Sequence, residues 1–105
     1  MSTYKVVVTV PSHEADQLRR TIGDAGGGKV GNYTHCSFSV KGIGRFLPIY
    51  GANPTIGKVG ALEEVEEDRI EITCNSENVK SVIAAIRKNH SYEEPAIDVY
   101  ELAEL

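Results

Sequence analysis

The sequence predicts an α+β sandwich with a βαββαβ order, the ferredoxin-like arrangement, in which two helices cover one face of an antiparallel sheet. Three observations carry this. Two amphipathic segments, one in each half, repeat their apolar residues at helical spacing. Extended segments flank each of them. Most of the ten glycines fall between residues 26 and 60, separating two strand–helix units by a region rich in turn chemistry.

The first extended segment, residues 4–10 (YKVVVTV), is β-branched and almost continuously apolar, as suits a central strand. Pro11 ends it, and Ser12 is the expected cap of a helix whose stripe is Ala15, Leu18, Ile22 and Ala25. Gly26 to Gly28 stop that helix. Residues 32–40 alternate: Cys36, Phe38 and Val40 are expected on the core side, and Tyr33, His35, Ser37 and Ser39 on the side without helices. Lys41-Gly42-Ile43-Gly44 reads as a hairpin turn, with residues 45–49 returning as a strand and residues 50–60 as a loop. Residues 63–74 form the next strand, with Ile70, Ile72 and Cys74 inward and Glu67, Arg69 and Glu71 outward. Asn75 or Ser76 caps the second helix, whose stripe is Val79, Val82, Ile83 and Ile86. A last strand covers residues 96–102. The helix-free sheet face, with tyrosines and paired charges, reads either as a subunit interface or as a solvated face.

At 105 residues the chain is expected to be one domain, residues 1–105. Its 41% hydrophobic and 25% charged composition is that of a folded globular protein. A net charge of −4 offers no attraction to nucleic acid or an anionic membrane. No apolar run approaches the roughly 20 residues of a membrane span, and the N-terminus lacks a signal-peptide layout. A cytoplasmic setting is expected, with Cys36 and Cys74 as free thiols.

Several strings fail their mechanical tests. Gly26 to Gly31 matches GxGxxG, but a helix precedes it and a strand follows, the reverse of a dinucleotide site. Gly51 to Lys58 resembles a phosphate loop, but its spacing is one residue too long and Val59 replaces the hydroxyl residue that binds magnesium. His35 and Cys36 are neighbours on an expected strand and so point to opposite faces; Cys36 is expected to be a buried thiol. His90, Glu93 and Glu94 have the chemistry of a zinc-type site, though a helix-ending histidine beside solvated glutamates has the same pattern. No serine or cysteine stands beside a base as a nucleophile requires.

Residues 30–71, with the segments GNYxxCSF, GxGxFxP and GxxPxIG, and residues 90–100, HSYEEPAIDVY, together resemble the middle domain of YqfO-type proteins. These belong to the family named after the yeast NGG-one-p interacting factor three. Ser91 departs from the proline usual there. The resemblance implies an insert-type domain like the trimeric PII signalling proteins and the CutA divalent-cation tolerance proteins, here expected as a stand-alone copy. The family's paired-metal centre lies in flanking domains, so its hydrolase label does not carry over. The implied function is a non-catalytic homotrimer that senses a small molecule or a divalent metal ion at clefts between subunits. Candidate ligand-binding residues are Tyr33, Phe46, Glu67 and Tyr92; candidate metal ligands are His35, His90 and Glu93. The alternatives are a hydrolase-type enzyme using His90 or Glu93 in the same pocket, and a plain oligomerisation or protein-interaction module.

Overall fold

A computed structural model describes residues 2–105. The elements are β1 (Thr3–Pro11), a 3-10 turn (Ser12–Glu14), α1 (Ala15–Asp24), β2 (Phe38–Phe46), β3 (Glu63–Asn75), α2 (Ser76–Asn89) and β4 (Ile97–Leu102). The sheet order is β2-β3-β1-β4 and every pairing is antiparallel. This is the ferredoxin-like architecture expected. Among the described residues, no helix is long and apolar enough to cross a membrane.

Register explains the core. In β1, Val6 and Val8 stand opposite Ile72 and Ile70 of β3, so these side chains share one sheet face. Both helices lay their stripes on that face: Ala15, Leu18 and Ile22 from α1, Val82 and Ile86 from α2. All are buried, as is Cys74, whose thiol pKa is pushed up by that burial. Burying each of the larger aliphatic side chains contributes about 1.5–3 kcal/mol.

The middle of the chain departs from the expected pattern. Residues 32–37 are not strand; one strand, β2, begins at Phe38 and runs straight through Gly42 and Gly44 to Phe46. The expected turn at 41–44 is therefore strand interior, and the β2–β3 connection is residues 47–62. The faces are also reversed. Phe38, Val40 and Phe46 pair opposite Glu71, Arg69 and Glu63, which places them on the helix-free face. Phe38 and Val40 are 66% and 46% exposed. The helices pack over β1 and β3 and leave edge strand β2 uncovered, so its helix-side positions are polar: Ser39 accepts from Arg19 (3.1 Å) and Lys41 meets Asp68 (3.2 Å).

Residues 28–36 make a closed excursion instead of a strand. Gly28 N–H donates to the Thr73 carbonyl (2.8 Å), Cys36 N–H donates to the Gly28 carbonyl (2.9 Å), and Val30 and Tyr33 exchange two backbone bonds at its tip. Gly28 has φ 79°, and a β-carbon there would collide with the Cys36 backbone. Cys36 is half-buried, not a core thiol. His35 takes φ 58°, a conformation incompatible with the strand expected there.

Neither expected cap forms a capping bond. Ser12 instead donates to the Asp68 carboxylate at 2.7 Å. Asp68, 5% exposed, also receives Arg19 (3.3 Å) and Lys41 (3.2 Å). The Ser12 bond, followed by the Lys41 and Arg19 bonds, outweighs desolvation and holds the Asp68 carboxyl below its ordinary 3.8.

Two tests follow from this packing. Gly28→Ala must strain a left-handed backbone against a neighbouring strand, and is expected to lower unfolding stability by about 1–3 kcal/mol in urea. Asp68→Asn is expected to cost about 1–3 kcal/mol at pH 7. Since the folded carboxyl titrates below its unfolded counterpart, that stabilisation is present at pH well above 3.8 and is lost progressively as pH falls through and below that value. Urea unfolding at pH 7 and pH 3 should show the wild-type advantage shrinking; an advantage independent of pH would refute the assignment.

Candidate functional site

Strand β3 outruns β1. Pro11, the last residue of β1, pairs with Glu67, whereas β2 stays paired with β3 back to Glu63. A two-stranded arm therefore projects beyond the helix-covered sheet, and the chain is elongated, 46 × 24 × 22 Å. In the angle between arm and sheet lies a cleft of ≈ 710 Å³. Its walls are β2, the 47–56 loop and the segment that follows α2, with Phe46, Leu47, Ile49 and Ile56 among the apolar residues.

Glu67 and Tyr92 sit at the base of this cleft. The Tyr92 hydroxyl donates to Glu67 Oε2 at 2.8 Å. Glu67 lies on the helix-free face, where the sequence placed it, yet is only 8% exposed. Space for it comes from two glycines inside β2. Gly42 pairs directly opposite Glu67, and a β-carbon at Gly44 would collide with the Glu67 carboxylate. This is the role glycine takes in a strand interior where another group approaches closely. Burial first, and then the bond to Glu67, raise the Tyr92 pKa, so the phenol keeps its proton and remains a donor. Phe46 packs edge-on to Tyr92, ring centroids 5.8 Å apart.

His90 ends α2 as its C-cap, one of the sequence readings, and is a buried support beneath this pair. Its Nδ1 accepts the Tyr92 N–H (3.1 Å), so the ring hydrogen is on Nε2, which donates to the Thr9 carbonyl (2.8 Å). The ring lies 5.0 Å from that of Tyr92. Both nitrogens are thus committed within the chain, and His90 does not line the cleft. Glu93 does line it, but its carboxylate accepts the Asn53 N–H (3.1 and 3.3 Å). Thr55 Oγ1 donates to the Ser91 carbonyl at 2.6 Å. These bonds strap the 47–56 loop onto the segment after α2.

The candidate residues therefore separate into two places. Phe46, Glu67, Tyr92 and Glu93 come together around the cleft, with His90 behind them. Tyr33 and His35 do not reach it. Tyr33 is 74% exposed at the tip of the 28–36 excursion, and His35 packs on the end of α1, Nε2 to Asp24 Oδ1 at 2.9 Å, over Gly23. Among the described residues, no three His, Cys, Asp or Glu side chains converge as a metal-holding group. Sequence reading missed Asn53 and Thr55 and misread the two glycines. The available signal was a Gly-x-Gly that continues the alternation of residues 38–46. Glu93→Ala is expected to release the strap and raise amide exchange at Asn53 and its neighbours by about fivefold or more while leaving the β1–β3 amides protected; hydrogen-exchange mass spectrometry distinguishes this from global loosening.

No family model matches the chain. It is 52% identical over 102 residues to the GTP cyclohydrolase 1 type 2 homolog of Halalkalibacterium halodurans, a match covering 97% of this chain and 27% of that protein. The chain thus spans about a quarter of the length of the curated relatives it matches. Among solved structures, a Bacillus cereus protein related to NIF3 superposes with a TM-score of 0.85 at 45% identity, over 98% of this chain and 26% of that one. Two more distant structures share the fold. The periplasmic divalent cation tolerance protein CutA from Archaeoglobus fulgidus has a TM-score of 0.71 at 17% identity, over 97% and 85% of the two chains. The GlnK of B. subtilis, solved as an ATP complex, has a TM-score of 0.65 at 16% identity, over 96% and 82%. The chain thus matches one segment of the NIF3-related GTP cyclohydrolase 1 type 2 homologs and shares its fold with CutA and GlnK.

Proposed function

We propose that the chain is a non-catalytic, ligand-sensing homotrimer of the PII/CutA-like kind, and that the cleft at Glu67 and Tyr92 is where it binds a small molecule. The observation that carries this reading is the cleft itself. It has the volume of a small-molecule site, mostly apolar walls, and a few polar groups at its base. Fold neighbours lend support: one is named for divalent cation tolerance and another was solved with ATP. The activity named for the relatives belongs to proteins about four times as long.

Trimerisation is supported by the helix-free face. Phe38, Val40 and Tyr100 are 66%, 46% and 51% exposed there, beside the Arg69–Glu71 pair (3.0 Å). The arm adds Leu47, Ile49 and Leu62, each at least half exposed. So much exposed apolar surface on a 105-residue chain favours a buried partner surface. Its closure by copies of the chain would enclose the cleft further. A divalent metal ion is the second ligand class in this reading. One copy assembles no group of three ligands, so an ion would draw on two copies, with Glu93 and His35 as the residues least buried; His90 would first have to give up both its bonds. The same two bonds weigh against His90 as a catalytic base. A cytoplasmic setting agrees with two free cysteines.

Native mass spectrometry tests subunit count and retained ligand together. The expected result is a species of three 11.4 kDa chains, with added mass where an ion or small molecule is held. A single-chain species at micromolar concentration overturns the trimer.

A further inference from the structure

We infer that the ligand of the Glu67–Tyr92 cleft carries a cationic amine on an apolar or aromatic body, and that the cleft disfavours nucleotide anions. This rests on the reading of the cleft as a ligand site and adds the chemistry it selects.

The inference comes from which charges are already committed. Three basic residues lie among the cleft walls, and each is paired with a carboxylate that is not. Lys41 meets Asp68 (3.2 Å), Arg45 meets Glu64 (3.4 Å), and Arg69 meets Glu71 (3.0 Å). Register shows why for the first two: Lys41 and Arg45 stand opposite Asp68 and Glu64, on the helix side of β2, facing away from Glu67. The acidic residues of the cleft are not neutralised in this way. Glu67, Glu93 and Glu94 line it, and none has a basic partner among the described residues. The uncommitted charge is negative.

Glu67 focuses that charge. It is more than nine-tenths buried, and only its Oε2 is engaged, by Tyr92. Its other oxygen, Oε1, lies over Gly44 with no hydrogen-bond partner among the described residues. Every fully buried side-chain nitrogen or oxygen among the described residues has a partner, so Oε1 must be reached from the cleft. A half-satisfied carboxylate in an apolar recess attracts an ammonium group strongly, because little water competes. The rings of Phe46 and Tyr92 stand beside it, and aromatic faces add attraction for organic cations. A triphosphate would meet the opposite: a buried carboxylate without a basic partner, beside cations each already shared with a carboxylate.

The probes are phenethylamine, its neutral counterpart 2-phenylethanol, and magnesium ATP, each titrated into the 15N-labelled chain and followed by amide shifts. Phenethylamine is expected to saturate shifts at Gly44, Phe46 and Tyr92 and to bind about tenfold or more tightly than 2-phenylethanol. Glu67→Gln keeps an acceptor for Tyr92 but removes the charge, and is expected to erase the preference for the amine while leaving the alcohol unchanged. Equal binding of amine and alcohol by the wild type overturns the inference even where the variant fails to fold. So does tighter binding of ATP at these amides, a result that leaves the cleft a ligand site of different selectivity. Silence of these amides to all three probes removes the inference together with the small-molecule site it rests on.

Discussion

Unequal strand lengths organise this molecule. β3 is thirteen residues long and β1 nine, and they part company at the Pro11–Glu67 pair. Beyond that point β3 has only β2 beside it and no helix above it. A sheet that loses a strand exposes an edge and one side of a buried junction, and the chain fills the gap with the segment leaving α2. His90 anchors that segment to the end of β1 through the Thr9 carbonyl, and Tyr92 reaches Glu67 across the junction. The cleft is what remains between this filling and the arm.

The two sheet faces are governed by different physics. On the helix side, aliphatic side chains from four elements close over one another, and a buried charge there, Asp68, is satisfied by three donors. Such a group is tolerated because both of its oxygens, on losing water, gained protein donors. On the other side Glu67 is nearly as buried, yet it has a single hydroxyl partner. Two neighbouring residues of one strand thus carry carboxylates in opposite states of satisfaction, since alternation sends them to opposite faces. The fully bonded one holds the fold together; the half-bonded one sits in the cleft.

The region between α1 and β3 shows where local pattern and tertiary context diverge. Residues 32–40 alternate as a strand should, but alternation does not say which face is covered. Because β2 is the edge strand and the helices stop short of it, its apolar set faces outward and its polar set reaches inward to Arg19 and Asp68. The Gly-x-Gly at 42–44 has the composition of a turn, and only its pairing partners reveal it as strand interior. His35 and Tyr33 were legible as unusual but not as distant from Glu67: their excursion is closed by two bonds of Gly28, one of them to β3, which the local sequence cannot signal.

From the sequence alone, the βαββαβ order, the first helix stripe and all of the second but Ile83, which lies outside the core, β1, β3 and β4, and the family resemblance were readable. These depend on periodicity, composition and motif, which are properties of neighbouring residues. The meeting of Phe46, Glu67, Tyr92 and Glu93 was readable only as a set of candidates from one surface. Tertiary structure decided that Glu67 is buried, that His90 spends both nitrogens on backbone groups, and that the 47–56 loop is strapped down by Glu93. Each of these depends on contacts between residues 25 to 81 positions apart in the chain. Burial and bond satisfaction at such contacts are set by how strands of unequal length pair, and a local pattern carries no record of that.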